Sequence, residues 1–87
     1  MARELHTTRT FDRLFKRLPK NIRAEAIEKV AMYLNDPTHP SLRAKRIRGS
    51  ERLWELSVTM NYRITFEVED DRVILRRIGT HDILKSP

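Results

Sequence analysis

No cysteine occurs among the 87 residues, which excludes disulfides and any cysteine-ligated zinc site as staples for the fold. A reducing compartment, the cytoplasm, is the expected setting. Glycine is nearly as scarce. Gly49 and Gly79 are the whole complement, so no glycine-rich phosphate loop can be written. Long apolar runs are missing too: nothing approaches the roughly 20 residues that span a bilayer, and the N-terminus has no hydrophobic segment of the signal-peptide kind. A soluble protein with no membrane contact is expected. His6, His39 and His81 lie far apart and no two share a helical turn, so no metal site is implied. No cofactor is expected in a chain this short, which reads as a single domain over residues 1–87.

What the chain has in excess is positive charge. Eighteen Lys and Arg face twelve Asp and Glu, a net charge of +6, and the excess is local. Between Pro37 and Arg52, five basic side chains (Arg43, Lys45, Arg46, Arg48 and Arg52) face one acid, Glu51, whereas from Leu53 to Pro87 five face six. A cluster of this kind suits a polyanion, since each phosphate neutralised releases condensed counterions. A solvated loop is the alternative.

Three strands are legible in the second half. Leu53–Met60 and Tyr62–Val68 alternate apolar and polar residues with the period of a half-buried strand. Trp54, Leu56, Val58, Tyr62, Ile64 and Phe66 are the predicted core side. Arg63, Ser57 and Thr59 share the opposite face, expected to be open. Val73–Ile78 begins with an unbroken apolar run, as in a strand near a sheet centre, and leads into Gly79-Thr80-His81-Asp82. Glu69-Asp70-Asp71-Arg72 reads as the hairpin turn between the last two strands.

The first half is helical. After a short strand at Arg3–His6, with Leu5 as its core residue, Thr8 or Thr10 caps a helix whose Phe11, Leu14, Phe15 and Leu18 form one apolar stripe. Pro19 ends it and suits the first turn of another. The second helix, Pro19 to Asn35, is expected to bury Ile22, Ala26, Ile27, Val30, Tyr33 and Leu34. Two prolines in Asp36-Pro37-Thr38-His39-Pro40 stop it. Leu42 and Ile47 anchor the basic segment Ser41–Gly49, and the residues after Ile83 show no period. The order strand, helical hairpin and about three further strands gives an α+β domain, helices on one face of an antiparallel-rich sheet.

Histidine at a strand end and arginines on strand faces suit one chemistry. Cleaving RNA by attack of its own 2′-hydroxyl needs proton transfer and cations for the charge that builds on phosphorus oxygens. Histidine titrates near neutrality, which fits His81 for the proton. Arginine is a permanent bidentate phosphate ligand, which fits Arg63. Lys45, Arg46, Arg48 and Arg77 are candidate RNA contacts. The plain alternatives are a turn histidine at His81 and a cross-strand ion pair from Arg63 to Glu55 or Glu67.

Taken in order, Arg46-Ile47-Arg48-Gly49, Leu53-Trp54-Glu55-Leu56, Tyr62-Arg63-Ile64-Thr65-Phe66 and Gly79-Thr80-His81-Asp82-Ile83-Leu84 resemble the RelE/ParE superfamily of bacterial toxins, nearest its YafQ-like branch. The resemblance covers nearly the whole chain. It implies the toxin of a type II toxin–antitoxin system, a ribosome-dependent endoribonuclease that cuts messenger RNA in the decoding site. The implied partners are the ribosome with its message and a small antitoxin from the adjacent gene, in a toxin–antitoxin hetero-oligomer. Arg63 matches the family's phosphate-stabilising arginine, Arg48 a basic residue before the glycine, and His81 the catalytic histidine of the YafQ-like ending. Elsewhere the chain departs from the pattern. Glu55 and Ser57 stand where RelE has lysines, the C-terminal tyrosine of RelE has no counterpart, and Lys45, Ser57 and Asn61 replace two histidines and an aspartate of the YafQ-like set. The ParE branch, which shares the fold and inhibits DNA gyrase by protein contacts, stays open as an alternative, as does a catalytically silent relative.

Overall fold

Thr8 begins the helical part of the chain and also ties it to the sheet. Its hydroxyl accepts from the amide of Phe11 at 3.0 Å, capping the first helix, and donates to the carbonyl of Arg76 at 2.8 Å. One side chain therefore satisfies an orphan helix donor and a strand acceptor at once. The computed structural model describes residues 3–87. Within them β1 (Glu4–Thr7) leads to α1 (Arg9–Lys16) and α2 (Lys20–Asn35), then a 3₁₀ turn Pro40–Leu42, β2 (Lys45–Arg46), β3 (Leu53–Ser57), β4 (Tyr62–Glu69), β5 (Arg72–Thr80) and a second 3₁₀ turn, His81–Lys85.

The five strands form one sheet in the order β1-β5-β4-β3-β2, with β1 parallel to β5 and every other pair antiparallel. An α+β domain was expected, and four strands rather than three follow the helices. The extra one is β2, a two-residue edge strand inside the basic segment. Such a strand is too short to show a period in sequence.

α1 ends where the sequence says it should. Pro19 occupies the N-cap position of α2 and its carbonyl accepts from Ile22 and Arg23, both at 3.0 Å. Asp36 then closes α2 by accepting from the amide and hydroxyl of Thr38, a local bond that competes with helix continuation.

The core lies between the helices and one sheet face. Phe66, fully buried, is its centre: Tyr33 of α2 meets it edge-on at 4.9 Å between ring centroids and Trp54 stacks on it at 6.4 Å. Ile64, Leu56, Val58, Leu75, Val73 and Ile78 surround it, with Phe11, Ala26, Val30 and Leu42 from the helical side. Leu42 and Ile47 are buried as anchors of the basic segment. Two expected core residues are not. Ile27 is 62% exposed and Leu5 44% exposed because both border an apolar groove between β1 and the helical hairpin, which none of the described residues fills. Met60 is exposed because β3 stops at Ser57 and the chain turns back through residues 58–61.

Strand β5 carries one extra residue. Thr65 pairs with Arg77 but its neighbour Phe66 pairs with Leu75, so Arg76 is a bulge. Leaving Arg76 out of the ladder keeps both halves of β5 on one side: Val73 and Leu75 before it and Ile78 after it are all buried. The Arg76 carbonyl at this point is the one that takes the Thr8 hydroxyl. Arg76 also pairs with Glu67 at 2.9 Å, so Glu67 is not a partner of Arg63.

Burial raises the Tyr33 phenol above its ordinary value of 10.0, partly offset by the Arg3 guanidinium, whose Nη1 lies 3.5 Å from the hydroxyl. A raised folded-state pKa means the unfolded chain releases this proton first. The contribution to stability is thus complete below pH 10.0 and is lost as pH rises through the higher folded value. Thermal melts from pH 8 to 11, on the order of the range in which phenols begin to ionise, are expected to show a steeper alkaline decline for the wild type than for Tyr33→Phe. Equal slopes for the two proteins would remove Tyr33 as a cause.

Candidate functional site

The face of the sheet turned away from the helices is built from cross-strand partners. Lys45 stands opposite Glu55, Glu55 opposite Thr65, and Thr65 opposite Arg77. Ser57 stands opposite Arg63, and Arg63 opposite Gly79. Cross-strand partners point to the same side, so this face gathers Lys45, Arg63 and Arg77 with the hydroxyls of Ser57 and Thr65. Arg63, on the central strand, reaches the end of the sheet. Its Nη1 donates to the carbonyls of Thr59, Met60 and Tyr62 at 2.7, 3.0 and 3.0 Å. These bonds fix the guanidinium against the β3–β4 turn and neutralise three converging carbonyl dipoles.

His81 is brought to the same end. Tyr62 pairs with Thr80, so the histidine begins its 3₁₀ turn beside the strand that carries Arg63. It is exposed and lines an open cleft with Met60, Asn61, Tyr62, Thr80 and Asp82. The register thus places Arg63 next to Tyr62 on β4 and His81 next to Thr80 on β5, at one corner of the sheet.

Arg46 does not join them. It pairs with Trp54, whose ring belongs to the helix-side face, and its guanidinium carbon lies 5.5 Å from that ring's centroid. This cation–π contact holds Arg46 on the side opposite Lys45, a split that follows from strand alternation once the pair is a strand. Arg48 sits in the exposed turn between β2 and β3, next to Gly49 at φ +85, where a residue with a side chain would be strained. Lys45 is exposed at the sheet edge and Arg77 is half-buried.

The face expected to be open is partly covered. The 3₁₀ turn after Thr80 lies against β4 and β5, and the residues after Ile83, which show no period in sequence, continue from it. The Thr65 hydroxyl donates to the main-chain oxygen of Pro87 at 3.3 Å, and Ile83 packs over Gly79 so closely that a Cβ there would come within 2.8 Å of its Cγ2. Gly79 is thus a seat for Ile83. Thr65 is fully buried and Glu55 8% exposed as a result of their place on this face. No periodic signal can announce a segment that docks through one side chain and one main-chain oxygen.

Among the described residues no three His, Asp or Glu side chains converge as metal ligands would, and no helix is long and apolar enough to cross a membrane.

Residues 5–84 match the family described as the ParE toxin of type II toxin–antitoxin systems, parDE. Solved structures agree in fold. The RelB–RelE antitoxin–toxin complex of Methanococcus jannaschii superposes with a TM-score of 0.75 at 25% identity, covering 92% of this chain and 94% of the other. The DinJ–YafQ complex of Escherichia coli gives a TM-score of 0.80 at 15% identity, covering 97% and 98%. A variant of the E. coli toxin RelE in the free state gives 0.77 at 19% identity, covering 99% and 93%. Among curated proteins none matches the chain in sequence.

Proposed function

The chain belongs to the ParE toxin family of type II toxin–antitoxin systems, and from that premise we propose that it is an endoribonuclease of the RelE and YafQ kind, cutting messenger RNA on the ribosome and so stopping translation. The observation that carries this reading is the β4–β5 register, in which Arg63 faces Gly79 and Tyr62 faces Thr80, so that a permanent cation and a histidine share one corner. The 2′-hydroxyl attacks the adjacent phosphorus, the P–O5′ bond breaks, and a 2′,3′-cyclic phosphate and a free 5′-hydroxyl result. His81 serves the proton transfer, and the free part of the Arg63 fork neutralises the oxygens of the pentavalent transition state. Arg77 and Lys45, on the same face, hold the flanking strand, while Arg48 extends the positive field past the turn.

The partner in this reading is a small antitoxin, as in the RelB–RelE and DinJ–YafQ complexes. The unfilled groove lined by Leu5, Phe15, Ile27 and Leu34 is apolar enough to take an amphipathic segment of it.

The test is to express the wild-type chain in cells from a tight promoter and map RNA 5′ ends. New ends inside translated reading frames, absent from untranslated RNA, are the expected result. DNA breaks and an SOS response without new RNA ends would instead make it a gyrase inhibitor.

A further inference from the structure

A second concave site lies on the far side of the β3–β4 turn from His81. It is a cleft of about 360 Å³ lined by Lys29 of α2, Arg43 after the first 3₁₀ turn and Arg63 of β4, together with Ser41, Ser57 and Thr59. No carboxylate lines it. The ion pairs among the described residues involve His6, Arg72, Arg76 and Lys85, so all three cations of the cleft lack an acidic partner there. Three like charges around one hollow repel one another, and an anion relieves that repulsion. The hydroxyls of Ser57 and Thr59 add donors that suit oxygens of a tetrahedral group, while that of Ser41 is already engaged with Met32 Sδ and His39 Nδ1.

Two further observations bear on the ligand. Arg43 has φ 49 and ψ 38, the left-handed conformation that glycine adopts freely and a residue with a Cβ does not. The position holds arginine where glycine is the easier residue, and non-glycine backbone strain of this sort is found at ligand clamps. Secondly, exposed Met60 borders both this cleft and the one that holds His81. The two clefts are therefore neighbours across one side chain, and Arg63, which lines this cleft, follows directly on Tyr62, which lines the other.

We infer that the Lys29–Arg43–Arg63 cleft seats a backbone phosphate of single-stranded RNA, in a strand that continues over Met60 to His81. The identity of the ligand rests on the nuclease reading; the existence of an anion site does not. The thioether of Met60 offers a polarisable surface to a base between the two phosphates.

The test uses the full chain and a 5′-fluorescein-labelled uridine oligonucleotide carrying 2′-O-methyl groups, which cannot be cut, with anisotropy read across a salt series. The double variant Lys29→Gln, Arg43→Gln is expected to bind about tenfold more weakly, the loss of charge-assisted hydrogen bonds to one phosphate. Its salt slope is expected to fall by about 0.7, one single-strand phosphate. The charge-matched control Arg13→Gln, Lys16→Gln, on exposed positions of α1, is expected to keep the wild-type slope. Equal losses in both doubles would reduce the cleft to diffuse attraction and overturn the inference. Arg43→Gly separates binding from folding: it is expected to raise the melting midpoint by a few degrees through relief of backbone strain and still to bind RNA more weakly. Wild-type RNA binding by Arg43→Gly, or undiminished RNA binding with weakened grip on an acidic antitoxin segment, would assign the cleft elsewhere and overturn it. The nuclease reading fails separately, when no RNA ends appear in cells although the oligonucleotide binds.

Discussion

His81→Ala is expected to lower cleavage of a ribosome-bound message by about 10²–10⁴-fold, the range for a positioned acid or base, with ribosome binding and the melting midpoint unchanged. The second half of that expectation comes from exposure: His81 begins the terminal 3₁₀ turn and is not part of the core, so its truncation leaves no cavity. Arg63→Lys is expected to be more complex. Lysine keeps the charge but loses the planar fork, and the three carbonyls of Thr59, Met60 and Tyr62 lose the donor that holds them. A fall in both midpoint and rate is therefore expected for Arg63→Lys, against a fall in rate alone for His81→Ala. Single-turnover cleavage of a programmed ribosome measures the rates. The double variant is expected to be little slower than the worse single one if both groups act on one transition state. Wild-type rates for His81→Ala would take the histidine out of the mechanism.

Phe66→Ala is expected to cost about 3–5 kcal/mol, the range for a buried aromatic. That is comparable to the whole stability of many domains of this size, at roughly 0.05–0.15 kcal/mol per residue. Phe66 is fully buried and is the ring on which Tyr33 and Trp54 both pack, so its loss opens a void against helix and strand together. Trp54→Ala is expected to cost less, since Trp54 is half-buried at the sheet margin with Arg46 over its outer face. Urea titration followed by circular dichroism orders the two, and a Trp54→Ala protein less stable than Phe66→Ala would reverse the assignment of the core's centre.

Sequence reasoning located the helical hairpin and the three long strands because each carries its own signal. Thr8, the Phe11–Leu18 stripe and Pro19 are local, and alternation in β3 and β4 is set by which side of the strand meets the helices. Arg63 and His81, its two candidates for chemistry, follow Tyr62 and Thr80, which the register pairs; the cleavage measurements above test their roles. What it missed depended on non-local contact. Lys45 and Arg46 look alike in a basic run, yet their partners Glu55 and Trp54 send them to opposite faces. Ile27 fits the helical stripe but overhangs β1, a strand too short to cover it. Arg43 is legible in sequence only as one member of the basic cluster and Lys29 carries no signal of its own, because the hollow they share with Arg63 exists only after α2, the 3₁₀ turn and the β3–β4 turn have met.

The bulge at Arg76 has a bearing on how this chain can change length. Excising Arg76 alone would close the bulge: Thr65–Arg77 and Phe66–Leu75 would become consecutive pairs and every other partner would stay in place. Val73, Leu75 and Ile78 would keep their side, and the losses would be the local bend, the carbonyl that takes the Thr8 hydroxyl and the ion pair to Glu67. Excising Ile74 instead would set Leu75 against Glu67 and Arg76 against Phe66, turning a leucine out of the core and an arginine into it. A one-residue gap at the bulge therefore keeps the frame of the strand, whereas the same gap two residues earlier breaks it. In the turns at Gly49 or Asp70 a length change of one is absorbed locally, which is where divergence in length among related toxins belongs.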